Sequence, residues 1–352
     1  MSRFIQKVWN ALPETGRERL LRAIARIGQV FGHAVPDANV PAQFSEPDLG
    51  VPDTLTGFTG HTFSFADARY VYRLYVPNAP LAKPMPLLVM LHGCNQDAAD
   101  FAKGTGMNTW AAPAHCMVLY PEQRSEVNAM RCWSWFDVAH QTRGLGEPAM
   151  IAALIRHVLQ TQNVDATRVY IAGLSAGGAM AAVVADEYPE LFAALGVHSG
   201  LPVHTAKNMV SAFSVMRQGA KQRVGASAPV ASLPTVVFHG TADKTVHPAN
   251  GEYIVNDALS AWAHTGLALQ KIQCTEVGGA GAGDASTRSA QRARYCSAEG
   301  KPFVESWLVN GAPHAWSGGN AAGSFTDPQG PCASRAMLSF FLQHQQVAKA
   351  SA

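Results

Sequence analysis

At 352 residues, with 47% hydrophobic and 15% charged residues and a formal net charge of +2, the chain has the make-up of an ordinary globular protein with a full core. This excludes extended disorder, and the near-neutral balance without a concentrated basic face excludes a nucleic-acid binder. No apolar run approaches the ~18 residues that a membrane span needs, so no integral membrane segment is expected.

In chain order, residues 1–32 read as an amphipathic helical extension. Thr15-Gly16-Arg17-Glu18 forms a capping box, and Leu20, Ile24, Ile27 and Phe31 fall on one helical face. Arg3, Lys7, Arg17, Arg19, Arg22 and Arg26 give this segment a basic bias, read as a solvated face, with membrane or polymer contact as the alternative. It lacks the apolar region and small-residue cleavage site of a secretory leader. Residues 33–62, rich in Pro, Gly, Asp and Thr, read as a linker, and 63–346 as the folded domain.

That domain opens with Thr62-Phe63-Ser64-Phe65 and the run Tyr70 to Val76, a hairpin turned at Ala66-Asp67-Ala68. Strand-like and helix-like runs then alternate. Strands are expected over 86–91, 117–120, 168–172, 194–198, 234–238 and 303–309. Helices are expected over 97–113, 147–160, 178–185, 248–264 and 333–345. Continuous apolar strands separated by helices predict an α/β fold, a mostly parallel central sheet covered on both faces. Gly278 to Gly283 is low complexity and opens no apolar helix, so it reads as a loop rather than a phosphate cradle.

The most informative motif is Gly173-Leu174-Ser175-Ala176-Gly177, set between a buried strand and a helix. It reads as a nucleophile elbow, a turn so tight that only glycine tolerates the crowding two residues either side of the serine. A serine hydroxyl needs a base to take its proton and an acid to orient that base. In α/β-hydrolase chains these follow in the order serine, acid, histidine. Asp243, just beyond the run Val236-Val237-Phe238-His239-Gly240, fits the acid; Asp257 in a helix and Asp284 in the glycine loop fit less well. His314, in a Gly/Pro-shaped loop after the last strand, fits the base. The Ala176 amide and the Cys94 amide, in Leu91-His92-Gly93-Cys94, are the expected oxyanion donors, with His92 bracing its loop. A catalytic Cys94 thiol is the rival reading.

Of the six cysteines, none makes a CxxC pair, so no zinc site is expected, and no metal or organic cofactor is called for. Cys116, inside an apolar run, reads as a buried thiol. Six cysteines pair in 15 ways, among which the sequence does not choose; the bridges expected are Cys94–Cys132 and Cys274–Cys296.

Taken together, Leu91 to Cys94, Tyr120-Pro121-Glu122-Gln123, Arg131 to Phe136, Gly144-Leu145-Gly146-Glu147, Gly173 to Met180, Val197-His198-Ser199-Gly200, Phe238 to Asp243, His314 to Gly319 and Gly323 to Pro328 resemble the polyhydroxyalkanoate (PHB) depolymerase family of esterases, within the α/β-hydrolase fold. The resemblance covers about 65 to 342. It implies a serine carboxylesterase acting on 3-hydroxyalkanoate polyesters, their oligomers or small esters, with feruloyl or acetyl-xylan esterase as the alternative. From another class, a catalytically silent scaffold that binds a granule or ligand is the rival. Many relatives are secreted, which implies an extracellular enzyme; the absence of a visible leader makes a cytoplasmic one the alternative. No polymer-adsorbing module follows the domain, which favours amorphous polymer, oligomers or small esters over crystalline polymer. Cys332 stands where an acidic residue is expected. Trp133, Trp135, Phe136 and Trp316 lie near the oxyanion and histidine loops. Core packing is the plain reading of such aromatics; the functional one has Trp133 and Trp316 wall an acyl or alcohol pocket.

Overall fold

The computed structural model describes residues 57–78, 83–222, 230–277 and 288–346. The expected helix at 1–32, nearly all of the 33–62 linker and the glycine loop at 278–283 lie outside them.

The chain winds one ten-stranded sheet. Its strands are β1 (Phe58–Phe65), β2 (Ala68–Tyr75), β3 (Met85–Leu91), β4 (Met117–Pro121), β5 (Val164–Leu174), β6 (Ala194–His198), β7 (Thr235–Gly240), β8 (Gln270–Val277), β9 (Ser289–Cys296) and β10 (Pro302–Val309). Across the sheet the order is β1-β2-β4-β3-β5-β6-β7-β10-β9-β8. The six strands from β4 to β10 in that order run parallel. The pairs β1–β2, β2–β4, β9–β10 and β8–β9 are antiparallel and form the two flanks. Two short strands, β11 (Trp316–Ser317) and β12 (Thr326–Asp327), pair apart from it.

Seven α-helices are described: α1 (Ala98–Thr105), α2 (Met107–Ala111), α3 (Gly146–Thr161), α4 (Ala176–Glu187), α5 (Met209–Gln218), α6 (Ala249–His264) and α7 (Ala333–Phe341). They cover both faces, because successive strand side chains point to opposite sides. Leu87, Val89 and Leu91 of β3 with Val169 and Ile171 of β5 pack towards α3, α4 and α6. Leu88 and Met90 with Tyr170, Ala172 and Leu174 pack towards α1, α2 and α7. Strands buried on both faces read as unbroken apolar runs, which is why the parallel block was visible in the sequence.

The differences have local causes. β1 begins at Phe58, inside the segment read as linker. The expected 97–113 helix is two, parted at Gly106, whose φ of 59° ends α1 in the left-handed region. The closing helix stops at Phe341 rather than 345. α5, β8 and β9 are not among the expected elements: the hairpin Gln270–Val277 and Ser289–Cys296 is largely polar and carries no apolar run. The bridge expected between Cys274 and Cys296 is not made. In the β8–β9 ladder Cys274 faces Arg292 while Cys296 faces Gln270, four residues along. At about 3.4 Å per residue that spacing is far beyond disulfide reach. Cys116 is a buried thiol as expected, its pKa pushed up to about 12 by burial. Cys332 caps α7, its Sγ accepting the Arg335 N–H at 3.5 Å, the part that an acidic side chain plays elsewhere. No described helix is long and apolar enough to cross a membrane.

Candidate active site

β5 delivers Ser175, β7 delivers Asp243 and β10 delivers His314, each just past the carboxyl end of a strand in the parallel block. Three strands running in one direction bring their following loops to the same edge of the sheet, where α/β folds carry their sites.

Ser175 sits between β5 and α4 with φ 57° and ψ −120°, a backbone state rarely taken by a residue with a Cβ. The glycines two positions away make the turn possible by close approach. A Cβ at Gly173 would lie 2.4 Å from the Gly177 carbonyl carbon, and one at Gly177 would lie 2.1 Å from Leu91 O and 2.3 Å from His92 O. Helix α4 therefore starts directly against the loop after β3. Its first-turn amides, Ala176 among them, have no acceptor within the helix.

That loop is held from several sides. The Gly93 N–H donates to Gln96 Oε1 at 2.9 Å and the Asn95 N–H to Met130 O at 2.6 Å, with the Cys94 amide between them. Cys94 is bridged to Cys132, as expected, with Cα atoms 4.3 Å apart; its sulfur is committed and a catalytic thiol there is excluded. His92 braces the loop: Nε2 accepts the Gln123 N–H at 3.0 Å and Nδ1 faces Gly93 O at 2.8 Å, which fixes the neutral Nδ1–H tautomer. Burial pushes its pKa down to about 4. The buried pair Gln123–Glu147 secures the next segment, through Gln123 Nε2 to Cys132 O and the Ser134 N–H to Glu147 Oε2.

Asp243 and His314 are brought together: His314 Nδ1 donates to Asp243 Oδ2 at 2.7 Å. Asp243 Oδ1 accepts the N–H groups of Thr245 at 2.9 Å and Val246 at 2.8 Å. Burial raises the pKa of this carboxyl, but the donors His239, His314 and Val246 and the charge of His314 outweigh it and hold the pKa far below the ordinary carboxylate range.

The link between the serine and the histidine loop runs through a residue that the sequence marks only as part of the Val197-His198-Ser199-Gly200 motif. His198, the last residue of β6, accepts the Ser175 N–H on its carbonyl at 2.9 Å. Its ring Nε2 accepts the N–H of Ser317, three residues beyond His314, at 3.0 Å. The ring stacks on Trp316 at 4.9 Å, and burial drives its pKa down to about 3. Its place at the end of a strand beside the elbow strand was a signal for it. Among the described residues no hydrogen bond joins Ser175 Oγ to His314, whose ring is bonded through Nδ1 to Asp243.

Trp133 and Trp316 do not wall a pocket in this structure; both are fully buried. The Trp133 indole N–H donates to His92 O at 3.0 Å, and that of Trp316 to Ser334 Oγ at 3.0 Å. Trp133 thereby ties to the loop after β3, and Trp316 ties the loop that carries His314 to α7. Among the described residues, Asp186, Glu187 and His204 come close enough together to share a cation, at the far end of α4 from Ser175. His204 already bonds Asp186 and Gln141, both at 3.2 Å.

A family model for the esterase PHB depolymerases matches residues 70–266. Poly(3-hydroxyalkanoate) depolymerase C of Paucimonas lemoignei is 32% identical over 239 residues, 65% of this chain and 54% of that protein. Feruloyl esterase B of Neurospora crassa is 36% identical over 128 residues, 36% of this chain and 42% of that protein. The chain thus spans about half the length of the curated relatives it matches. Among solved structures, an acetyl xylan esterase from Aspergillus awamori superposes with a TM-score of 0.58 at 20% identity, over 81% of this chain and 99% of that one, a likeness that shows the α/β-hydrolase fold. Since the matched segment runs from β2 through the elbow to just past α6, more than half of the sequence, the chain belongs to the PHB depolymerase family of esterases.

Proposed function

We propose that the chain is a serine carboxylesterase that cleaves 3-hydroxyalkanoate oligoesters and short-chain esters through an acyl-enzyme on Ser175. The observation that carries this is the 2.7 Å bond from His314 Nδ1 to Asp243 at the same sheet edge as the strained Ser175. With its hydrogen spent on the carboxylate, the imidazole keeps a bare Nε2 to act as base.

In this reading His314 Nε2 takes the Ser175 proton as Oγ attacks the ester carbonyl. The Cys94 and Ala176 amides receive the charge that develops on the carbonyl oxygen. Collapse expels the alcohol, which leaves with the proton held on His314. Water then gives a proton to His314 and attacks the acyl carbon, and collapse releases the acid as His314 returns that proton to Ser175 Oγ. Each step uses side chains and amides of this chain.

The hydroxyalkanoate preference rests on the relative from Paucimonas lemoignei, matched over 65% of this chain, against 36% for the feruloyl esterase. Comparing kcat/KM on 3-hydroxybutyrate trimers, amorphous polymer, methyl ferulate and acetylated xylan tests it. We expect the trimers to lead by at least tenfold; ferulate or xylan leading would transfer the assignment to plant cell-wall esters.

A further inference from the structure

One buried histidine stands directly behind the proposed acid without entering the chemistry above. His239, next to last in β7, has its side chain almost wholly enclosed. Its Nε2 lies 2.8 Å from Val246 O and 3.5 Å from Asp243 Oδ2. Val246 O can only accept, so Nε2 carries the hydrogen, shared between a short limb to Val246 and a longer one to the carboxylate. The same Val246 donates its own N–H to Asp243 Oδ1. The ring therefore closes the 243–246 turn that presents the carboxylate to His314.

Two further observations separate this ring from ordinary core filling. Its Nδ1 is buried and has no partner among the described residues, a cost that an apolar side chain of similar size would avoid. And α6 meets the ring at Gly251, where an added Cβ would lie 2.8 Å from Nδ1 and 3.2 Å from Cγ. Gly251 is the third residue of α6. Its absent side chain leaves the imidazole room to sit in this one orientation, with Nε2 towards the turn.

We infer that His239 is a positioning residue, its Nε2–H fixing Val246 and the Asp243 carboxylate in the geometry that His314 requires. This rests on the proposed role of Asp243 and His314. The charged and titratable groups around the ring are Asp243 on its own turn, His198 of β6, Glu252 of α6, and Lys271 and Tyr295 of β8 and β9 across a cavity of about 270 Å³.

The test compares His239→Phe, which keeps the ring's bulk, with His239→Gln, whose amide restores a donor near Nε2. Steady-state kinetics on p-nitrophenyl butyrate across pH is the readout. Loosening the acid by a fraction of an ångström is expected to lower kcat by roughly 10- to 100-fold in the Phe variant, with KM within about twofold. With one donor fewer on the carboxylate, its charge falls more heavily on His314, so the acid limb of kcat/KM moves to higher pH. The Gln variant is expected within about threefold of the parent, with the parental limb. Phe at parental kcat and profile, or Phe and Gln equally impaired, overturns the inference. Should His239→Phe not fold, Gly251→Ala carries the test by displacing the ring while keeping its chemistry: kcat about fivefold lower or more supports positioning, and unchanged kcat overturns it. Ser175→Ala run alongside separates the claims. If that variant is inactive while His239→Phe is unimpaired, only the positioning role fails; if it still turns over at the parental rate, the serine mechanism itself fails.

Discussion

Ser175, Asp243 and His314 were legible as residues because each carries a local mark: glycines crowding a turn, an acid just past a strand, a histidine in a Gly/Pro-shaped loop. The structure joins Asp243 to His314 and gives Ser175 the strained backbone of an elbow. What the sequence could not tell was which aromatic and imidazole rings would be enclosed. Trp133 and Trp316 read from the sequence either as core or as pocket walls, and burial with two indole hydrogen bonds places them in the core. His92 and His198 are buried as neutral rings, with pKa values pushed to about 4 and about 3 against an ordinary 6.5. Both folded values lie below the unfolded one, so their contribution is complete above pH 6.5 and is lost as pH falls. Between pH 7 and pH 5 each histidine is expected to remove about 2 kcal/mol of stability. The depressed Asp243 adds its own loss only below about pH 4, as the unfolded carboxyl takes up a proton. Urea midpoints at pH 7, 6 and 5 check this; equal midpoints would contradict the buried neutral assignment.

Among the elements, the parallel strands were visible because burial on both faces leaves an unbroken apolar run. The β8–β9 hairpin was not, because its strands are too polar to show one. The loop after β3 shows how elements share a site. Gly177 lets α4 start against Leu91 and His92, Trp133 ties back to His92, and the Cys94–Cys132 bridge closes the loop round the proposed oxyanion amide. Cys132→Ser is expected to cost about 2–4 kcal/mol of stability, the range for a crosslink spanning 38 residues. A Cys94 amide no longer pinned should also lower kcat, by up to the ~10²-fold that loss of one oxyanion donor brings. Melting temperature and kcat, each with and without dithiothreitol, separate the two effects. A folded, reduced protein with full kcat would show that the bridge serves stability alone.

At the scale of the molecule, one sheet edge gathers the loops after β3, β5, β7 and β10, and a single residue, His198, ties the serine's backbone through its carbonyl to the histidine's loop through its ring. That common edge is what the fold contributes to function: residues far apart in the chain gain a fixed relation because parallel strands end together. Family membership follows from the matched 70–266 segment, and the proposed hydroxyalkanoate preference rests on the Paucimonas lemoignei relative. The most direct test of the account is peptide mapping by mass spectrometry after a p-nitrophenyl butyrate reaction is quenched in acid during turnover. A butyryl group is expected on Ser175 and is absent in Ser175→Ala, a variant without turnover. Turnover with no acyl adduct, or with the adduct on another side chain, would contradict it.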